Sequence, residues 1–236
     1  IKTKIDYLVG LEKQQRIDPK ALPRTPKHES DADGATEALR YVAEEQDYDA
    51  KRSAVWRNML VEGFGGIGVS VAEATDYSGK PGVEVRIRRY SWDRLFFDPH
   101  SSETDFSDAG YLGAVLWMDY DDALAMYKDN QDAANILDTT LTTAPSDTYD
   151  DKPKHSLWAD KKRKRVRICQ IWVKRDEQWH FAEYTKGGIL KAGSSPYKTD
   201  KGESDCELFL QSAYCDRDNN RYGLVREMIS LQDEIN

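Results

Sequence analysis

The sequence is short of cysteine, histidine, long apolar runs and net positive charge. Its 236 residues include three cysteines and four histidines. Cys169, Cys206 and Cys215 show no paired spacing and no neighbouring histidine cluster. Neither a structural zinc site nor a disulfide framework is therefore supported, and a reducing compartment is expected. No apolar run approaches the length that spans a bilayer, so no membrane association is expected.

The formal net charge of −8 argues against a simple basic nucleic-acid binder, because phosphate contacts are made by clustered lysines and arginines. The composition is that of a folded protein, since 39% of residues are hydrophobic and 11% are aromatic. With 32% charged residues and a mean hydropathy of −0.76, we expect a heavily solvated surface over one large or two small domains.

The first 62 residues are predicted to be mainly helical. Apolar residues at helical spacing predict a short helix from Ile1 to Lys13. Prolines then predict an irregular surface segment over residues 17–31, since each proline restricts the residue before it to extended conformations. Asp33 is the expected N-cap of a long helix that runs to about Glu62 and can bend near Gln46.

Gly63, Gly65 and Gly68 spell the G-x-G-x-x-G pattern of dinucleotide-binding loops, and Glu84 lies where a ribose-binding acid is expected. That pattern requires a strand before it and a helix after it, so that the helix N-terminus meets the pyrophosphate. Here a predicted helix precedes the glycines and a predicted strand follows them. We therefore interpret them as a helix-to-strand turn in which glycine permits positive φ and close packing.

Alternation of apolar and polar residues predicts several antiparallel strands. Two of them form a hairpin around a turn at residues 77–82, and three form a meander that passes through Gly187 and Gly188. The predicted strands cover residues 69–73, 83–87, 166–174, 179–184 and 189–193. Together with the helices, these strands predict an α+β fold with long helices and antiparallel sheet.

The middle of the chain is predicted to contain two short helices and a long loop. Asp119 is the expected N-cap of a helix from Tyr120 to Lys128, and a second helical segment runs from Asn130 to about Leu137. Residues 139–153 are rich in Thr, Ser, Asp and Pro, which predicts a mobile loop.

These predictions divide the chain into four consecutive parts, which can also form one domain. The parts are residues 1–138, with helices and strands; residues 139–160, a mobile linker; residues 161–221, an antiparallel meander; and residues 222–236, the start of a terminal helix.

Asp98, Asp105 and Asp108 form a group of carboxylates that invites a catalytic or metal-binding interpretation. A metal-dependent nuclease would need a second acidic element beside a lysine, and Asp160-Lys161-Lys162 is the candidate. No histidine and no calcium-loop spacing supports such a site, so turn and capping roles are favoured for the three aspartates.

Lys161 to Arg165 is the one strongly basic block in this acidic chain. It has two interpretations, a nucleic-acid patch and the solvated beginning of the strand that follows it, and the second is favoured. His180 has no serine, cysteine or second histidine at a distance in sequence that suggests a proton relay, so a structural role is expected.

The last stretch of the chain predicts an amphipathic helix with apolar side chains on two adjacent faces. Leu224, Met228, Leu231 and Ile235 recur at the spacing of one helical stripe. A second stripe contains Val225, Ile229 and Gln232, so the helix is expected to have neighbours on two sides. No C-capping residue follows Ile235, which predicts that the helix continues in a longer protein.

Short motifs in the order found in a known family run along nearly the whole chain. They are Asp6-Tyr7-Leu8 with Gly10 and Gln15-Arg16, Gly63-Phe64-Gly65, Trp92-Asp93 with Phe97-Asp98-Pro99, Ser107-Asp108-Ala109, and Tyr222-Gly223 followed by Met228, Gln232, Asp233-Glu234 and Asn236. Their order is more specific than any one of them. The sequence resembles the wing region and the first part of the stem helix of tailed-phage portal proteins of the large podovirus type.

The resemblance implies a structural protein of the virion rather than an enzyme. Such a protein forms a ring, usually a dodecamer, at one capsid vertex, and double-stranded DNA passes through its channel. Terminase, scaffolding or capsid proteins and head-completion proteins are the implied partners, with assembly in the host cytoplasm. The clip, the second stem helix, the tunnel loop and the crown are absent from the sequence, so the chain is expected to be a fragment.

The resemblance also gives the terminal helix a role in packing between subunits or within the stem. The residues assigned to that packing are Leu224, Met228, Leu231, Gln232 and Ile235. We expect them to pack only partially within this chain. The favoured interpretation needs no catalytic residue, cofactor or metal. Two alternatives stay open, a metal-dependent phage nuclease that uses the clustered carboxylates and a protein-binding module.

Overall fold

The computed structural model describes residues 1–23, 25–75, 79–143 and 157–235. These residues form six α-helices and eleven strands, which confirms the α+β prediction. The helices are α1 Lys2–Gln14, α2 Glu29–Glu45, α3 Tyr48–Glu62, α4 Tyr120–Met126, α5 Ala133–Thr142 and α6 Val225–Ile235. The strands are β1 Phe64–Thr75, β2 Pro81–Tyr90, β3 Leu95–Phe97, β4 Tyr111–Asp119, β5 Ala159–Asp160, β6 Arg165–Arg175, β7 Gln178–Thr185, β8 Gly188–Ser194, β9 Leu208–Ser212, β10 Tyr214–Cys215 and β11 Arg221–Tyr222.

Two compact units share these elements. Unit 1 comprises Ile1–Trp92, Ser102–Ser107 and Glu207–Asn236, and unit 2 comprises Asp93–Ser101 and Asp108–Cys206. The chain passes between the units several times. The division into four consecutive parts stays a prediction. The expected boundaries after residues 138 and 160 both fall inside unit 2.

Unit 1 is built around α3 and an antiparallel sheet of order β2–β1–β9. Gly63 ends α3 with φ of 100°, the left-handed conformation that glycine adopts at helix C-termini, and β1 starts at the next residue. The positive φ and the helix-to-strand order predicted around Gly63 are therefore confirmed. Gly65 and Gly68 lie within β1 instead of a turn, where they leave room for Val55 and Tyr90 respectively. Buried side chains of this unit include Ile5, Leu60, Tyr90, Leu208 and Leu210.

Unit 2 contains an antiparallel sheet of order β3–β4–β6–β7–β8, with β5 paired to β6. Its core contains buried residues of α4, α5 and the sheet, namely Ala123, Tyr127, Ala133, Leu137, Ala159, Val166, Ile168 and Leu190. Trp172 is buried in β6, with its ring 5.3 Å from that of Phe181 and 6.0 Å from that of Tyr197. The predicted meander of three strands corresponds to β6, β7 and β8 and is confirmed.

The N-cap predicted at Asp33 is wrong, because α2 begins at Glu29 and Asp33 lies inside it. The irregular segment predicted to reach residue 31 ends earlier for the same reason. Pro26 opens a 3-10 turn that leads directly into the helix, a position where proline's missing N–H costs nothing. Asp47, with φ of 47°, then separates α2 from α3, so the bend expected near Gln46 is a complete break.

The helices of unit 2 also differ from their predicted limits. Helix α4 ends at Met126 and not at Lys128, whereas α5 continues to Thr142, into the segment predicted as a loop. The buried Thr140 explains the extension, since its hydroxyl donates to the Ile136 carbonyl and accepts from the Gly187 backbone N–H. The rest of the predicted loop, residues 144–153, lies outside the described residues, as do the first two residues of the turn at 77–82.

Candidate assembly surface

Two glycines, Gly63 and Gly223, allow the residues that lead into α6 to pack closely against the end of α3. Gly63 at the end of α3 lies against the backbone of Tyr222, and Gly223 lies against the Leu60 carbonyl. A Cβ on Gly223 would be 2.5 Å from that oxygen, too close for any non-glycine residue without a backbone shift. The end of α3 and the residues that lead into α6 therefore approach each other at backbone distance. Gly63 and Gly223 can each be picked out from the sequence. The close packing of Gly63 on Tyr222 and of Gly223 on Leu60 depends on the tertiary fold.

Polar contacts then fix the course of α6. The backbone nitrogen of Ile1 lies 3.3 Å from Oε1 of Gln232. Arg226 donates to Asp216 at 3.2 Å, and its guanidinium carbon lies 4.7 Å from the centre of the Tyr222 ring. Backbone N–H donation from Asn220, followed by the contact with Arg226, lowers the pKa of Asp216 below its usual value. Asp216 thus remains a carboxylate that can anchor the first turn of α6.

The exposure of α6 rises toward its C-terminal end. No residue of the helix is buried, and its half-buried residues are Val225, Met228 and Gln232, with Leu224 just before it. Leu231 is 59% exposed and Ile235 is 79% exposed. Ile229, from the second stripe, is also exposed. The expectation that this helix packs only partially within the chain is confirmed, and an apolar surface is left in solvent.

The three aspartates of the nuclease interpretation accept hydrogen bonds from groups of residues 100–110. Asp98 accepts from the N–H groups of His100 at 2.9 Å and Gly110 at 3.0 Å. Asp105 accepts from the N–H and hydroxyl of Ser107, and Asp108 accepts from the Ser101 hydroxyl at 2.6 Å. Among the described residues, no group of three or more His, Cys, Asp or Glu could hold a metal ion. The turn role favoured from the sequence is observed for Asp98 and Asp105, whereas Asp108 bonds to a side-chain hydroxyl.

The basic block is held by Asp160, which is nearly inaccessible to solvent. Asp160 accepts from the Arg163 backbone N–H at 3.1 Å and from the Arg163 guanidinium at 3.0 Å. Burial raises the pKa of Asp160, but the two bonds from Arg163 outweigh it and the pKa is lowered. Arg165 pairs with Asp119 at 2.9 Å. Asp119 occupies the predicted N-cap position of α4, although it makes no side-chain capping bond there.

The remaining candidate residues from the sequence are His180 and the three cysteines, and their contacts are those of structural residues. His180 lies in β7, and strand pairing brings its Nδ1 to 3.3 Å from the Ser194 hydroxyl in β8, a partner that spacing along the chain does not reveal. Burial raises the pKa of the Cys169 thiol, and Cys169, Cys206 and Cys215 form no disulfide. No described helix is long and apolar enough to cross a membrane.

Comparison with known proteins identifies the family. The family model described as phage P22-like portal protein matches residues 1–181, which is more than half of the chain. The chain belongs to the P22-like portal protein family. A curated relative, the portal protein of Helicobacter pylori bacteriophage KHP30, is 22% identical over 218 residues. The alignment covers 90% of this chain and 32% of that relative, so the chain spans about a third of the relative's length.

Proposed function

We propose that this chain is the wing region and the first part of the stem helix of a phage portal protein. In this function the complete polypeptide forms a ring, a dodecamer, at one vertex of the capsid, and double-stranded DNA is packaged and ejected through its channel. The observation that carries the proposal is the family match over residues 1–181. The chain is structural, catalyses no reaction and resides in the virion after assembly in the host cytoplasm.

The partially exposed α6 supports this proposal. In a ring, the helices of neighbouring subunits lie side by side, and the apolar residues Leu231 and Ile235 would be covered there. We assign Leu224, Met228, Leu231, Gln232 and Ile235 to packing between subunits or within the stem. The net charge of −8 supports a channel protein, because a strongly cationic lining would hold DNA rather than let it move. Terminase, scaffolding or capsid proteins and head-completion proteins are the proposed partners.

The test is electron microscopy of the complete polypeptide that contains these residues. We expect closed rings with a central channel, and their absence would overturn the proposal. Leu231→Asp combined with Ile235→Asp should abolish the rings. The matched control is Ile189→Asp, because Ile189 in β8 of unit 2 is also 59% exposed. Loss of rings in both variants would show a general effect of added charge instead of a role for α6.

A further inference from the structure

Helix α1 is held on unit 1 by little apolar contact. Ile5 is its only buried residue, and Tyr7 is 68% exposed. A cleft of about 480 Å³ lies between α1 and α3, with the half-buried side chains of Leu8, Leu11 and Trp56 along it. Over this part of their contact, the apolar side chains of the two helices are therefore not closely packed.

The sequence of α1 gives this helix little stability of its own. Gly10 lies in its interior with open space around the position of a Cβ, and glycine weakens a helix interior because it loses more backbone freedom on folding. No side chain caps the first turn, and that turn contains no acidic residue. A helix of 13 residues is marginal in water without tertiary contacts, so α1 depends on its docking to α3.

Charged and polar side chains make the contact that holds the end of α1 on α3. Glu12 in α1 pairs with Arg52 at 3.0 Å and accepts from the Ser53 hydroxyl. Arg16, two residues beyond α1, donates to the Ser53 hydroxyl oxygen and pairs with Asp49 at 3.2 Å. We call these five residues, Glu12, Arg16, Asp49, Arg52 and Ser53, the latch.

Glu12 is the central residue of the latch. Its side chain is 15% exposed and also pairs with Arg16 at 3.2 Å. Burial raises the pKa of Glu12, but the bonds from Ser53 and Arg16 outweigh it and the pKa is lowered. The carboxylate is thus charged at neutral pH and bridges the guanidinium groups of Arg16 and Arg52, which would otherwise repel each other.

The segment after the latch has the features of a hinge. Ile17 is 84% exposed, and residues 17–20 have no regular structure. The next fixed point is Ala21, whose backbone N–H donates to the Thr36 hydroxyl in α2 at 3.0 Å. At the other end of α1, Ile1 meets Gln232 of α6 through the 3.3 Å contact described above. Helix α1 therefore extends from the latch on α3 to the side of α6.

We propose that α1 is a releasable strap that holds α6 against unit 1, and that the latch controls its release. With the latch closed, α1 lies on α3 and Ile1 touches Gln232. When the charges of the latch are screened or Glu12 is lost, α1 detaches from α3, the contact with Gln232 is lost, and α6 moves more freely. This inference rests on the proposed portal function, in which α6 packs in the assembled ring, and it makes release of the strap the step that frees α6 for that packing.

Hydrogen exchange of the 236-residue chain, followed by mass spectrometry, tests the strap. In about 0.01 M NaCl the amides of α1 should exchange faster than those of β1, because α1 opens without unfolding the sheet. Raising NaCl to about 1 M should accelerate exchange in α1 roughly 10-fold or more and change β1 little, since screening weakens the latch. Glu12→Lys should do the same at low salt, because the new ammonium group faces Arg16 and Arg52. In both cases the amides of Ile229 to Gln232 should accelerate together with those of α1.

Glu37→Lys is the control with the same charge change. Glu37 in α2 is exposed and has no ion-pair partner in the part of the chain that the structure describes, so this variant should leave exchange in α1 unchanged. Slow exchange in β1 shows that each variant remains folded. If Glu12→Lys prevents folding, the comparison of the two salt concentrations on the unaltered chain decides.

Three outcomes would overturn the inference. They are exchange in α1 that is as slow as in β1 at both salt concentrations, exchange in α1 that does not respond to Glu12→Lys in a folded chain, and faster exchange in α1 without any change in α6. The portal function is tested separately, because these measurements need no ring. Absence of rings in the complete polypeptide removes the portal function, whereas rings formed by a chain whose α1 does not open overturn the strap alone.

Discussion

The guanidinium of Arg221 lies over the ring of Phe106, with 4.4 Å between the guanidinium carbon and the ring centre. Phe106 is buried and has φ of 59°. It belongs to Ser102–Ser107, the short segment that joins unit 1 from between two parts of unit 2. The same segment accepts the Ser212 backbone N–H at the Thr104 carbonyl, 2.8 Å away. The ring of Phe106 thus fixes this segment to β11, and the carbonyl of Thr104 fixes it to β9.

Phe106→Ala should therefore destabilise unit 1 substantially. Removing a buried phenylalanine leaves a cavity and costs about 3–5 kcal/mol. The free energy of unfolding from urea titrations, followed by circular dichroism, measures the loss. Phe209→Ala in β9 is the control, because Phe209 is half-exposed and its loss should stay within about 1 kcal/mol. Equal losses for the two variants would contradict the anchoring role of Phe106.

Asp160→Asn should lower the free energy of unfolding at neutral pH. It should also make that free energy change less as the pH is lowered. Asp160 is buried with bonds from Arg163, and the pKa is lowered from its usual 3.8. When the pKa of a carboxyl group is lower in the folded state than in the unfolded state, the group stabilises the fold fully at any pH above the unfolded-state pKa. That stabilisation is lost as the pH falls through the folded-state pKa. We therefore expect a deficit of about 1–3 kcal/mol at pH 7 that shrinks below about pH 4.

Urea titrations at pH 7 and pH 3 measure this change for Asp160→Asn. Asp129→Asn is the matched control, since Asp129 is exposed and has no ion-pair partner in the part of the chain that the structure describes. The control should differ little from the unaltered chain at either pH. A deficit for Asp160→Asn that is the same at both values would show that charge on Asp160 does not matter.

Periodicity along the chain was enough to predict the elements that pack in the usual way. The meander is an example, because β6 alternates between Val166 and Ile168 in the core and residues on the opposite face. The short, partly buried α6 stripe was likewise visible from Met228, Leu231 and Ile235. Local sequence could not give α2 its correct start, because acidic residues occur all along that helix and Asp33 resembles a cap in a helix that already runs from Glu29.

The assembly of unit 1 from separate stretches of the chain depends on contacts that no local pattern encodes. Phe106 looks like an isolated aromatic residue in a polar loop, and nothing near it in sequence points to Arg221. Gly223 is recognisable in the sequence only as part of the Tyr222-Gly223 motif, and its packing against Leu60 depends on where α3 ends. For the carboxylates, turn chemistry was sufficient, since Asp98 and Asp105 bond to groups two residues on, as aspartates in turns commonly do.

Asp98→Ala separates the structural role of this carboxylate from a nuclease role. Because Asp98 accepts two backbone N–H groups, we expect a loss of about 1–3 kcal/mol in the free energy of unfolding. Incubation of the unaltered chain with duplex DNA and Mg²⁺ or Mn²⁺ should give no cleavage on gels. Cleavage that disappears in Asp98→Ala but persists in Asp129→Ala, an exposed-site control, would favour the metal-dependent nuclease over the structural protein.

Gly223→Ala should loosen α6 from unit 1. The added Cβ would meet the Leu60 carbonyl, a backbone atom that cannot rotate away, so the residues that lead into α6 must shift. Overpacking of this kind costs about 1–3 kcal/mol, and the amide protons of Val225 to Met228 should exchange faster with solvent. Hydrogen exchange followed by mass spectrometry measures that loosening, and urea titration measures the free energy.

Gly34→Ala provides the control with the same chemical change and the opposite expected sign. Gly34 lies inside α2 with open space around the position of a Cβ. Alanine there should stabilise the helix by about 0.5–1 kcal/mol, since glycine in a helix interior loses more backbone freedom on folding. A stabilising effect of Gly223→Ala, like the one expected for Gly34→Ala, would contradict this prediction. It would show that the close contact between α3 and the start of α6 does not hold the helix in place. Unchanged exchange in α6 would lead to the same conclusion.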